Sequence, residues 1–131
     1  MTRRQRLLAP AVTIGGLAAA TLALHLRDPH EGGSWGVCPS ALLGLSCPGC
    51  GGLRAVNDLT HGRWADAASS NLLLVVLLPL AVLALAVWTA DRWRDRSRAL
   101  PAGGTASCAA VGVVLVFTVL RNLPAGSWLA P

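Results

Sequence analysis

The sequence predicts an all-α integral membrane protein: three transmembrane helices with a short helical, cysteine-containing extracytoplasmic cap. Three observations carry that reading. Residues 7–24, 72–90 and 100–120 are each free of charge. Of the 131 residues, 53% are hydrophobic and 13% charged, where a soluble domain carries about a quarter charged. Mean hydropathy is +0.55. The remaining long segment, 27–70, is the only extended polar one, and it contains the run C-P-G-C-G at Cys47, Pro48, Gly49, Cys50 and Gly51.

Each apolar stretch approaches the ~20 residues that cross ~30 Å of hydrocarbon at ~1.5 Å per residue. Helices are required because backbone groups in lipid must be satisfied within their own segment. The first helix is assigned to 7–26, with Pro10 in its first turn, where a missing N–H costs little. Arg3, Arg4, Gln5 and Arg6 ahead of an apolar run also fit a cleaved signal peptide, even a twin-arginine one. The run is long for such a peptide, and no A-x-A site precedes a polar start, so the helix is expected to be retained. The second helix is assigned to 71–90, kinked at Pro79. A linker at 91–102 leads to the third helix at 103–123, softened by Gly103 and Gly104, and 124–131 forms a tail.

Arginine sets the topology, since the chain has no lysine. Arg3, Arg4 and Arg6 precede the first helix, and Arg92, Arg94, Arg96 and Arg98 crowd the short linker. Arg27, Arg54, Arg63 and Arg121 are spread along the other side. The positive-inside rule then puts the N-terminus and the linker in the cytoplasm, with 27–70 and the C-terminus extracytoplasmic. The net charge of +5 follows from this asymmetry. Without interleaved aromatic and basic residues it does not indicate a nucleic-acid partner. Trp35, Trp64, Trp88, Trp93 and Trp128 fall near helix ends, as interfacial anchors do. Gly15, Gly16, Ala18, Ala19, Ala20 and Gly112 are the residues available for close helix approach. Three short helices bury little area, so self-association or another membrane protein is expected beside the lipid bilayer.

Within 27–70, Gly32, Gly33, Ser34 and Gly36 predict a loop. Cys47 then suits an N-cap, Pro48 position N1, and Gly62 the C′ position after His61. Leu53, Val56, Leu59 and Thr60 recur at helical spacing and give one apolar face. Arg54 and Asp58, at i and i+4, predict a surface ion pair of a few tenths of a kcal/mol. A further short turn over 63–70 leads into the second membrane helix.

The run CPSALLGLSCPGCGGLRAVNDLTHGRWADAASSNLLLVVLLP, with the later VLRNLPAGSWLAP, resembles the domain of unknown function 2752 family. These are small bacterial membrane proteins with a CPxCGxTRA signature, a following H-G, an N-P-L and a terminal R-N. The resemblance implies a shared role for Cys38, Cys47, Cys50, Gly51, Arg54, Ala55, His61, Gly62, Asn71, Arg121 and Asn122. It implies no activity. Leu53 stands where the family has Thr, which removes a hydroxyl near the cysteines, and Leu72 stands where it has Pro.

Cys108 is set apart, ~18 Å deep in the third helix, and reads as packing. Cys38, Cys47 and Cys50 share an oxidising compartment, and three chemistries remain open for them. One is a disulfide from Cys38 to Cys47 or Cys50, which closes a ~10-residue loop and stabilises by roughly 2–3 kcal/mol. The second is a redox couple, with Cys47 as an N-cap thiolate nucleophile and Cys50 resolving it. The third is a structural zinc, for which one C-x-x-C pair is too few, so Cys38 and His30 or His25 would complete the ligands. His61 lies ~16 Å beyond Cys50 along a continuous helix and fits poorly.

Arg54, His61, Asn71, Arg121 and Asn122 form a second, polar cluster at the outer face. Their bland roles are snorkelling for Arg121 and a C-cap for Asn122. Their functional roles are an anion or lipid-headgroup site, or a contact with Asp58 or Asp66 that fixes the cap on the helices. No catalytic triad, carboxylate pair, P-loop or dinucleotide fingerprint occurs. The expectation is a non-enzymatic scaffold or accessory subunit with structural cysteines. The alternative is a membrane thiol–disulfide oxidoreductase using Cys47 and Cys50.

Overall fold

A computed structural model describes residues 3–31, 40, 43–96 and 104–129. Among them the elements run α1 (Arg3–Leu26), α2 (Gly52–Thr60), α3 (Trp64–Trp93), α4 (Gly104–Arg121) and a 3-10 turn (Pro124–Leu129). The protein is all-helical over the described residues. Cys38, Trp35, the glycine-rich stretch from Gly32 to Gly36, and Arg98 lie outside them.

Two of these helices, Arg3–Leu26 and Trp64–Trp93, are long and apolar enough to cross a membrane. In α4 the apolar stretch Ser107–Arg121 is shorter than the ~20 residues a full crossing takes. The long helices run antiparallel. The Arg3 guanidinium lies 3.5 Å from the Trp93 ring centroid, a cation–π contact, and Arg6 forms an ion pair with Asp95. At the opposite end the Asn57 amide of α2 donates to the Leu24 carbonyl at 2.7 Å. That bond satisfies a carbonyl of the last turn of α1, which has no intrahelical partner. The basic N-terminal segment and the end of α3 therefore share one end of the molecule, and α2 covers the other.

Pro10 is interior to α1 rather than in its first turn, because the helix extends back through the arginines to Arg3. Within α3 the torsions leave the helical region at Asn71 (φ −159, ψ 91), not at the expected Pro79. The Asn71 Oδ1 accepts the Leu74 N–H at 3.0 Å, so Asn71 acts as an N-cap inside the chain. The residues ahead of it make a short cap helix, and those after it make the apolar span.

Among the described residues the expected close approach through small residues is absent: a Cβ on Gly15, Gly16 or Gly112 would meet nothing within 4 Å. Residues 11–23 of α1 are exposed throughout, Ala18, Ala19 and Ala20 included. Polar and aromatic contacts join the long helices at their ends, and among the described residues most of their large apolar side chains are exposed, with Pro10 and Leu24 buried. One glycine is required by space. A Cβ on Gly126 would collide with the Leu120 carbonyl, so only glycine lets the 3-10 turn fold back on the end of α4.

Candidate functional site

The cap is built around the turn at 47–50. Its Cys50 N–H donates to the Cys47 carbonyl at 3.0 Å, and Gly52 N–H to the Gly49 carbonyl at 2.9 Å. Gly51 follows with φ +77, a left-handed conformation that glycine adopts without steric cost, and it is the N-cap of α2. This corrects the expected helix start. Cys47 is not an N-cap and Pro48 is not at N1, because the left-handed Gly51 separates the turn from the helix. The Cys47 sulfur therefore does not sit at the positive end of α2.

Both thiols are half-buried, with Cys47 Sγ 2.9 Å from Cys50 Sγ. The Cys47 N–H is directed at Cys50 Sγ at 3.2 Å, and the Ser40 hydroxyl lies 3.8 Å from the same sulfur. Two other helices hold the turn by its carbonyls. Arg121 Nη1 donates to the Cys47 carbonyl at 2.9 Å, and both terminal nitrogens of Arg121 reach the Cys50 carbonyl at 3.3 Å. Asn71 Nδ2 donates to the carbonyls of Pro48 at 2.9 Å and Cys50 at 3.1 Å. Asn122 and Ser46 exchange two bonds: Ser46 N–H to Asn122 Oδ1 at 2.9 Å, and Asn122 Nδ2 to the Ser46 carbonyl at 2.8 Å.

Arg121 does not snorkel. It is 2% exposed, with its guanidinium 5.0 Å from the Phe117 ring centroid, and its Nε has no partner among the described residues. Charged side chains are buried only where partners repay their desolvation, and here three bonds to two carbonyls serve. Asn122 also donates to the Thr118 carbonyl at 2.8 Å, a side-chain cap on the end of α4. The contact that fixes the cap runs to backbone carbonyls, not to Asp58 or Asp66.

Asp58 is the centre of a second network. It is 1% exposed and accepts Arg63 Nη2 at 2.7 Å, Arg63 Nε at 3.1 Å and the Ser70 hydroxyl at 3.2 Å. His30 Nε2 lies 3.5 Å from its other oxygen. Arg63, not Arg54, is thus its ion-pair partner. The i,i+4 spacing is overridden because α2 turns Asp58 inward and leaves Arg54 exposed. The side-chain hydrogen bond to Asp58 raises the Arg63 pKa above the ordinary value of a guanidinium. Asp28 takes the His30 backbone N–H at 2.8 Å and the His30 ring at 2.7 Å, and those two bonds lower its carboxyl pKa below 3.8.

A third cluster joins α1 to α2. The His25 and His61 rings stack with centroids 4.3 Å apart. His61 Nδ1 donates to the Asn57 carbonyl at 2.9 Å, and the Thr60 hydroxyl donates to the same oxygen at 2.7 Å. His25 Nδ1 lies 3.2 Å from that hydroxyl.

The polar cluster expected from sequence is therefore divided. Asn71, Arg121 and Asn122 meet at the 47–50 turn, Arg54 lines a cleft beside Asp58, and His61 stacks on His25. Cys108 is exposed on α4. Among the described residues no three His, Cys, Asp or Glu side chains converge as a metal site. Sequence reasoning passed over Asn57, and it gave Asp58 and His30 other partners than the ones they have.

Residues 38–85 match the DUF2752 family, described as a protein of unknown function. The DUF2752 match takes in the turn at 47–50, all of α2 and α3 as far as residue 85, and it ends before α4. Arg121 and Asn122, which hold that turn, lie outside the matched segment. Comparison with curated proteins and with solved structures gives no match.

Proposed function

We propose that this chain is a small three-span membrane protein, N-terminus in the cytoplasm, whose outer cap is a non-enzymatic scaffold with structural cysteines. The observation that carries this is the buried Arg121, which binds the carbonyls on either side of the C-P-G-C turn. This turn is held by side chains from α3 and α4, so it serves as the junction of both helices with the cap. In this reading α4 is the third span, and the exposed faces of α1 and α4 meet lipid, a second copy or a membrane partner.

Two thiolates on one tetrahedral zinc, with bonds of about 2.3 Å, lie about 3.8 Å apart. The sulfurs here are 2.9 Å apart, which supports a direct sulfur–sulfur pair over a shared metal. A disulfide across so short a loop would stabilise the turn by ~2 kcal/mol.

The same 2.9 Å contact favours a second reading, a thiol–disulfide oxidoreductase. In that chemistry the Cys47–Cys50 dithiol is oxidised to a disulfide. Two electrons and two protons pass to a substrate disulfide, which leaves as two thiols. Serine replacement separates the two. Under the scaffold reading, Cys47→Ser lowers the amount of folded protein in the membrane. Normal abundance together with lost disulfide transfer would replace it by the redox reading.

A further inference from the structure

A cleft of about 580 Å³ opens on the cap between the start of α3, α2, the Asp28–His30 segment and Trp128. We propose that this cleft binds a phosphoethanolamine group, with its phosphate on Arg54 and its ammonium on Asp66. The inference rests on the placement of the cap at a membrane face, and it adds a ligand to that scaffold.

The charges that line the cleft are unequally satisfied. Asp58 is saturated by Arg63, Ser70 and His30, and Asp28 by His30. Arg54 lines the same space, is exposed, and makes no ion pair or hydrogen bond among the described residues. A guanidinium at the rim of a concave site is suited to a phosphate, which it grips through paired N–H groups. Asp66 is the carboxylate left with spare capacity. Its side chain is 65% exposed, and its one ion-pair contact, Arg63 Nε at 3.8 Å, is too long for a hydrogen bond. A cation such as a primary ammonium completes it.

The unsatisfied pair is therefore one positive and one negative group in one cleft, which matches a zwitterion better than a net anion. Trp128 stands at the rim, 70% exposed, and Trp64 on α3 is 68% exposed. Exposed indoles mark headgroup depth, and the face of such a ring also receives an ammonium. A primary ammonium gives three N–H donors to carboxylate and hydroxyls, whereas a trimethylammonium gives none. Phosphoethanolamine is thus separated from phosphocholine by Asp66, and from phosphoglycerol by its charge.

The test reconstitutes the full chain in nanodiscs of equal phosphatidylethanolamine, phosphatidylglycerol and phosphatidylcholine, then reads lipid retained through detergent extraction by mass spectrometry. The wild-type chain is expected to retain phosphatidylethanolamine about tenfold over phosphatidylcholine. Arg54→Gln should lose that retention, and Asp66→Asn should retain the two lipids equally. Both side chains are exposed, so both variants should melt like the wild type, which a thermal scan confirms. Displacement by an equal concentration of soluble phosphoethanolamine assigns the site to a soluble compound, and persistence assigns it to the lipid. Equal retention of all three lipids, preference for phosphatidylglycerol, or an unchanged Arg54→Gln overturns the proposal. Entry into the nanodisc tests the spans by itself, so a chain that inserts without lipid preference refutes only the cleft.

Discussion

The cap shuts polar side chains away from solvent, and the long helices leave apolar ones exposed. Buried in and against the cap are Asn57, Asp58, Ser70, Asn71 and Arg121, beside the small Ala55 and Ala67. In the two helices long enough to cross a membrane, most large apolar side chains lie outside: Leu17 is 55% exposed, Leu80 59% and Leu83 61%. Apolar surface gains nothing by leaving hydrocarbon for protein, so a bundle in lipid has no hydrophobic drive to close. Buried polar groups must find partners, and in the cap those partners are on other helices. The cohesion of this molecule is accordingly concentrated in hydrogen bonds at one end, with Arg3–Trp93 and Arg6–Asp95 at the other.

Four perturbations sharpen that contrast. The largest effect belongs to Arg121→Leu, which keeps bulk but removes the donors to Cys47 and Cys50 while burial persists. Loss of a buried, charge-assisted network should cost about 2–4 kcal/mol, measured as denaturant unfolding in micelles. Arg121→Lys should recover only part, because an ammonium lacks the fork that spans two carbonyls. Next comes Asn71→Ala, which loses the cap on Leu74 and the bonds to Pro48 and Cys50. About 1–2 kcal/mol is expected in the same assay.

A smaller effect appears with acid. The Asp28 carboxyl titrates below its ordinary 3.8 because of the two hydrogen bonds from His30. A depressed carboxyl contributes stability in full above 3.8, and that contribution disappears as the pH falls through the folded value. Thermal scans between pH 5 and pH 3 should therefore show the wild type losing more than Asp28→Asn. The smallest effect is Leu83→Ala on the outside of α3, expected to shift stability by no more than about 0.5 kcal/mol. A cost near 3 kcal/mol there would mean that the spans close by packing after all.

Much of the fold was legible because its code is one-dimensional. Charge-free runs of membrane length give helices wherever they occur, and Gly62 after His61 marks a helix end that the structure reproduces with φ +75. The meeting of Asn71 and Arg121 at one turn was only half legible. Sequence placed them at similar depth, but it could not say that their targets were main-chain carbonyls, which every residue carries alike. The start of α2 was misread for a local reason. Pro48 and Gly51 are both compatible with a helix entrance, and the choice falls to Gly51 because the bonds from Cys50 and Gly52 close a turn first. Arg54 was paired with Asp58 by spacing, whereas Arg63 binds that carboxylate from beyond the Gly62 corner, which no helical periodicity describes.

The central claim is that the cap is a packed polar unit and not a loop lying on the membrane. Amide hydrogen exchange of the full chain in nanodiscs, followed by mass spectrometry over 46–71, tests it most directly. The account predicts strong protection of α2 and the 47–50 turn, lost in Arg121→Leu while the apolar part of α3 remains protected. Exchange of the wild-type cap within seconds, at the rate of an unstructured peptide, would contradict it.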